Sequence, residues 1–284
     1  MSDRDNPADT VNGIPELNQF LTGLSSRGFS RRTFVSAAAL VGASLAASQF
    51  IAPSAAMGQV TTPVTGGPTD GATQFAAIPG RNQNEKVLNF ALTLEILEAD
   101  LYRQALNLAS GLALDTPLSS TPSTYTQKVG GGGLNATGSS LGYLYLKEFA
   151  YVEAAHRDFL KAAISSGGGT PVSPNPGGYM FGGPVEPNMV SILSNILPLE
   201  ETGVRAYLGA LPYLTDLTLA MTAGGIFSTE ARHSAIISYN LDIDPGPTRM
   251  PGDLTVVPNP PATNTFEYYL KPLTVIQIAS KLFA

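Results

Sequence analysis

The chain contains no cysteine and only two histidines. The first absence removes disulfides, iron–sulfur clusters, thiolate zinc sites and cysteine nucleophiles together, so any metal must be held by oxygen and nitrogen. The second leaves a Ser-His-Asp triad only at the expense of one of the two imidazoles, and neither lies near a Gly-x-Ser-x-Gly elbow. Charge is scarce too. Only 13% of residues are charged, with a net charge of −6, so no basic surface exists to neutralise phosphates, and nucleic acid is not an expected partner. No Lys-Ser or Lys-Thr follows the glycine run at 130–133, which excludes a P-loop. With 284 residues, 43% of them hydrophobic, the chain can fill one large core or two small ones.

Each histidine carries a glutamate three positions before it: Glu153 before His156 and Glu230 before His233. With 11 glutamates in 284 residues, composition alone gives this coincidence a chance of roughly one in several hundred. In a helix, residues three apart share a face. A carboxylate oxygen and an imidazole nitrogen can then reach one ion, and two such helices facing each other can hold two. The carboxylates still missing come, in a four-helix bundle, from one glutamate on each of the other two helices.

The pattern supplies four long helices. The first spans about Asn84 to Leu108, with Glu95 in the middle of an apolar stripe formed by Leu88, Leu92, Ala99 and Tyr102. A buried unpaired carboxylate there costs on the order of several kcal/mol, so it must turn neutral, find a cation or bind metal. Residues 111–139 are rich in Gly, Ser and Thr and read as a flexible surface loop. The second helix covers Ser140 to Ser165 and bears Glu153 and His156. The third runs from just after Pro187 to about Leu211, with Pro198 expected to kink it or break a backbone bond shortly before Glu200. A short turn leads to the fourth, Leu217 to Asn240, bearing Glu230 and His233. Between the second and third helices, residues 167–186 are nearly all Gly, Pro and Ser. Twenty extended residues reach roughly 60–70 Å, against roughly 38 Å for a 25-residue helix, so this link can cross the whole bundle.

A repeat supplies the two remaining glutamates. Leu94-Glu95 is followed seven residues on by Tyr102, and Leu199-Glu200 by Tyr207 at the same offset. Seven residues is two turns, so each tyrosine sits on its glutamate's face. Each half then brings its Glu-x-x-His. The candidate ligands are Glu95, Glu153, His156, Glu200, Glu230 and His233. In the expected arrangement Glu95 and Glu200 bridge or cap the ions, and each Glu-x-x-His pair anchors one side. Tyr102 and Tyr207 either bond to the ligands from behind, relay radicals, or simply pack in the core. Glu98 shares the face of Glu95 and is either an extra ligand or, as such neighbours more often are, a partner for a surface cation. Glu201, rotated by one residue, is expected in solvent.

The order and spacing resemble the ferritin-like superfamily, similar to bacterioferritins and rubrerythrins. The segment LNFALTLEILEADLY from Leu88 to Tyr102 and the stretch Leu199-Glu-Glu-Thr-Gly203 carry the likeness. Together with the export features below, they resemble secreted ferritin-like domain proteins akin to the plant desiccation-related protein. The resemblance implies an all-α, ferritin-like four-helix bundle over 83–242, with a long loop between its first two helices and a long crossover between the second and third. It implies the same six ligands and two Fe or Mn ions. Two ions roughly 3.5–4 Å apart can hold both oxygens of a peroxide, which points to O2 or peroxide as substrate in a ferroxidase, peroxidase or catalase reaction. The alternative is a non-enzymatic envelope or desiccation-stress protein with a structural or vestigial metal. A homo-oligomer is compatible with the resemblance, but the two insertions and the Pro-rich tail would obstruct a storage shell.

At the N-terminus, Arg31-Arg32 precedes a weakly apolar run from Ser36 to Ile51, with small residues at Ser54-Ala55-Ala56. This is the pattern of a twin-arginine (Tat) export signal over 1–56. The alternative is an N-terminal membrane anchor, but the run is short and diluted with Ala, Gly and Ser, so a signal cleaved before Met57 is expected over a stable span, and the expected location is the periplasm or the cell exterior. Residues 57–82 read as a linker or a wrapping arm. Residues 243–284 read as a Pro-rich tail closing with an apolar helical segment, Tyr268 to Phe283, packed on the bundle.

Overall fold

The computed structural model describes residues 68–133, 139–246, 267 and 269–283. The expected export signal (1–56), residues 57–67 of the expected arm and the Pro-rich stretch 247–266 lie outside the described residues. Among the described residues six α-helices follow in order: α1 Gly71–Gln74, α2 Gln83–Ala109, α3 Leu141–Ser166, α4 Met189–Ala210, α5 Leu217–Asn240 and α6 Pro272–Ala279. Among the described residues there is no strand, only two isolated bridges.

Each long helix starts on a side chain that takes up a loose N–H of its first turn. Asn82 accepts from Glu85, Ser140 from Tyr143, Asn188 from Ser191, and Asp216 from both Thr218 and Leu219. α3 stops where Gly168, at φ 74°, turns the chain left-handed, so that the Gly168 and Gly169 amides cap the Ser165 and Ile164 carbonyls. α4 continues through Pro198. The proline removes one amide donor without ending the helix, because Ile196 and Leu199 on either side of it are buried against the other helices.

Two apolar clusters set the directions of the helices. Leu106 late in α2 shares one cluster with Leu146 early in α3, Ile192 early in α4 and Ile237 late in α5. Phe90 early in α2 shares the other with Leu160, Ala210 and Ile226. So α2 and α5 run one way, and α3 and α4 the other. α3 and α4 being parallel, the chain must return along the bundle between them, which is what residues 167–188 do. Each fully buried Leu, Ile or Phe in these clusters contributes about 1.5–3 kcal/mol, so the bundle rests on both ends of its core.

The long α2–α3 connection is not the free surface loop that its composition suggests. Asn107 donates to the Leu114 and Thr116 carbonyls (3.1 and 2.8 Å). Tyr125 is buried, and the Met189 amide bonds the Gly130 carbonyl at 2.9 Å. Short polar side chains and glycines let this backbone find partners on α2 and α4 instead of water. Residues 68–82 also pack on the bundle. Phe75 is fully buried, edge-on to Phe90 and Tyr213, and Asp70 accepts from the Tyr213 hydroxyl at 2.7 Å.

At the C-terminus the regular helix is shorter than Tyr268 to Phe283 and begins at Pro272, whose fixed φ and missing N–H suit a first helical position. Just before it, the Leu270 amide bonds the Arg205 carbonyl (3.1 Å), and the Leu270 carbonyl crosses Gly209 so closely that a methyl there would lie 1.9 Å from it. Gly209→Ala is therefore expected to push the C-terminal segment off α4, at a cost of about 1–3 kcal/mol. Thermal melts would show the loss and limited proteolysis new cleavage near Leu270; an unchanged melting temperature with no new cleavage would refute it. Among the described residues, no helix is long and apolar enough to cross a membrane.

Candidate metal centre

Between the two apolar clusters lies a band of ionisable side chains. Glu95 comes from α2, Glu153 and His156 from α3, Glu200 from α4, and Glu230 and His233 from α5. All four carboxylates are completely buried. The structure brings the six candidate residues into two overlapping groups: Glu95, Glu153, His156 and Glu230, and then Glu153, Glu200, Glu230 and His233. Within each group one ligand atom per side chain lies within 4.8 Å of all the others.

Glu153 and Glu230 belong to both groups, while Glu95 and Glu200 each belong to one. Of the two roles expected for Glu95 and Glu200 this favours capping over bridging, and each Glu-x-x-His pair reaches both halves instead of anchoring one side. Glu153 places Oε2 3.1 Å from His156 Nδ1 and Oε1 2.9 Å from His233 Nδ1, one oxygen to each half. His156 Nδ1 also lies 3.3 Å from Glu230 Oε1 and 3.5 Å from Glu95 Oε2, and His233 Nδ1 lies 3.5 Å from Glu200 Oε1. The reason is register. α3 and α5 are antiparallel, so Glu153 faces His233 and His156 faces Glu230, and each Glu-x-x-His pair straddles both halves.

The tyrosines are crossed in the same way. Tyr207 donates to Glu95 Oε1 at 2.5 Å, and Tyr102 donates to Glu200 Oε1. Two helical turns separate each tyrosine from the glutamate of its own helix, too far for a bond, and the antiparallel neighbour brings the other within reach. Each hydroxyl holds one carboxylate oxygen and leaves the second, Oε2 of Glu95 and of Glu200, without a hydrogen bond. Glu153 Oε1, both Glu230 oxygens and His233 Nδ1 are also unbonded. His233 Nδ1 and Glu153 Oε1 lie 2.9 Å apart, yet neither has a hydrogen-bond partner. Buried polar atoms that converge without bonding one another are what a bound cation requires.

Electrostatics follow from the burial. Removal from water pushes Glu95 up to about 8, with the nearby His156 holding the rise back. Burial and then the neighbouring carboxylates push Glu230 well above the usual range. Burial works against charge on Glu153 as well, but the two imidazoles outweigh it and hold that carboxyl below its ordinary value. Burial would lower both histidines, yet the surrounding carboxylates raise them well above theirs.

Three further residues complete the site. Glu98 is 3% exposed, so it is not the surface ion-pair partner that its type more often is. Burial first, then Glu230 and Glu95, push its pKa well above the ordinary carboxylate value, which favours its neutral form. It stands outside both four-residue groups, in space left by Gly203, where a methyl would lie 3.1 Å from Glu98 Oε1 and 3.3 Å from Glu230 Oε2. Phe149 stacks on His233 at 3.8 Å between ring centroids; its position four residues before Glu153, on the same face, was the signal for it. Glu201 is not in solvent, because it pairs with Arg205 at 2.8 Å and accepts from Ser234 on α5.

A bundle of four helices with carboxylates from all four and imidazoles from α3 and α5 in its buried middle is the arrangement of the ferritin-like proteins. Residues 83–242 match the ferritin-like domain family, and the chain belongs to that family. Comparison with curated proteins returns no match.

Proposed function

We propose that the chain is an exported, dinuclear iron- or manganese-binding protein with redox activity towards O2 or a peroxide. The observation that carries this reading is the set of unbonded atoms on four fully buried carboxylates and His233, converging in two groups that share Glu153 and Glu230. Four ionised carboxylates with two neutral imidazoles carry four negative charges, which two divalent ions neutralise, and the mixed oxygen and nitrogen donors favour transition metals over Mg or Ca. A bound metal pair would supply two electrons, the number needed with two protons to take O2 to hydrogen peroxide, or hydrogen peroxide to water.

The chain's own residues set the conditions for that chemistry. Tyr102 and Tyr207 fix the orientation of Glu200 and Glu95. Phe149 covers His233 and keeps water from that half. Glu98 holds a proton beside Glu230. His156, with a side chain 15% exposed against 4% for His233, is the imidazole nearer to solvent and marks the side on which ions enter. Export is supported by Arg31-Arg32 ahead of the apolar run; the twin-arginine route carries folded proteins, so metal can be inserted before translocation.

The test is aerobic Fe(II) oxidation and peroxide consumption by the metal-loaded chain beside Glu200→Ala. Turnover in the parent that is lost in a folded variant supports the redox reading. Two bound metals with no turnover towards either oxidant would leave a structural metal protein of the envelope instead.

A further inference from the structure

The two halves of the centre are related by an internal correspondence. Glu95, Tyr102, Glu153 and His156 answer to Glu200, Tyr207, Glu230 and His233, with one constant offset from α2 to α4 and another from α3 to α5. The correspondence breaks one turn outward. Ala91, Leu160 and Ile226 lie four residues from Glu95, His156 and Glu230, and so stack directly above that group. These three, with Leu94, Tyr207 and Ala223, line a cavity of about 20 Å³. The same offsets carry Ala91 to Ile196, Ala223 to Leu146 and Ile226 to Phe149, all buried. Small residues thus leave space over the Glu95–His156 half where large ones fill it over the Glu200–His233 half.

The cavity is of molecular size and its lining is apolar. A single water needs roughly 10–15 Å³ of such space and two to four polar partners. The lining offers almost none. The Tyr207 hydroxyl is already given to Glu95, and apart from Thr222 the other lining side chains are aliphatic or aromatic. An apolar diatomic fits where water and hydrogen peroxide, both in need of hydrogen bonds, do not. The Tyr207 ring forms one wall and ends at the Glu95 carboxylate, so an occupant lies one helical turn from the group.

We propose that this cavity binds dioxygen and delivers it to the Glu95–His156 half of the centre. The proposal rests on the redox reading above and narrows its substrate to the apolar oxidant. It also makes the halves unequal: one faces the oxidant, and the other is sealed by Phe149.

Xenon, an apolar probe of suitable size, tests the site without any redox chemistry. Crystals of the metal-free full-length chain under xenon should show the gas between Ala91, Leu160 and Ala223, and Ala223→Leu, which installs the residue of the other half, should exclude it. In the iron-loaded protein, Ala223→Leu should slow O2-driven oxidation at least tenfold more than peroxide-driven oxidation. Ala91→Ile is the second filling variant, with two bound metals as the criterion that either has folded. Xenon absent from the parent cavity overturns the proposal, as does an equal effect of the folded filling variants on the two oxidants. Xenon bound in a protein that oxidises no iron refutes the redox reading and leaves an apolar gas site; oxidation without xenon refutes the cavity alone.

Discussion

Glu230→Gln is expected to empty both halves of the centre, whereas Glu95→Gln or Glu200→Gln empties one. Glu230 belongs to both four-residue groups, and both its oxygens lack hydrogen bonds. Losing a mere supporting partner of a ligand typically costs about 10–100-fold in metal affinity, so loss of a shared ligand should weaken each ion by at least about 100-fold. The metal-free fold should survive. Glutamine matches glutamate in shape, and burial with the neighbouring carboxylates pushes Glu230 towards its neutral form, so the exchange disturbs the buried charges little. Elemental analysis after loading with Mn(II) should read two ions in the parent, none in Glu230→Gln and one in each capping variant. If Glu230→Gln retained one ion while Glu95→Gln retained none, the assignment of shared and capping residues would be reversed.

Without metal, the protein should lose thermal stability as the pH rises from 5 to 8. Glu95 is raised from 4.5 to about 8, chiefly by burial, and Glu98 and Glu230 are raised as well. A carboxyl whose folded pKa exceeds its unfolded value binds more protons when folded. Its contribution is therefore complete below the unfolded value and is lost as the pH climbs through the folded one. The two histidines, raised above 6.5, act in the same direction from that pH upward. Glu153, held below its ordinary value, acts oppositely, and its contribution disappears only on the acid side. Glu95 alone corresponds to a few kcal/mol, on the order of 1.4 per pH unit across the window. Metal binds the deprotonated carboxylates, so the gain in melting temperature on adding Mn(II) should grow from pH 5 to pH 8. Melts with and without Mn(II) at pH 5, 6.5 and 8 would decide it. A metal-free melting temperature that climbs with pH would show that the buried carboxyls are not held neutral.

Much of the architecture was legible because helices announce themselves locally. The first was expected over Asn84 to Leu108 and spans Gln83–Ala109; the fourth was placed at Leu217 to Asn240 and lies there. Apolar periodicity, capping Asn, Ser and Asp, and the glycines after α3 are all short-range signals. The exception had a long-range cause. Residues 110–133 did not float free, because Asn107 and the start of α4 offered their backbone partners.

For the site, the division is equally physical. The sequence alone determined which side chains share a helix face: three residues is nearly one turn, so Glu153 with His156 and Glu230 with His233 were bound to point together. It also determined that Glu95 would lie in an apolar stripe, with Glu200 repeating its offset to a tyrosine seven residues on. Only the tertiary structure decided which carboxylates are common to both groups, which tyrosine serves which glutamate, that Glu98 turns inward over Gly203, and that one half carries a cavity while Phe149 closes the other. Those outcomes depend on the direction and register of one helix against another, and the spacing of residues along a single helix contains no information about either.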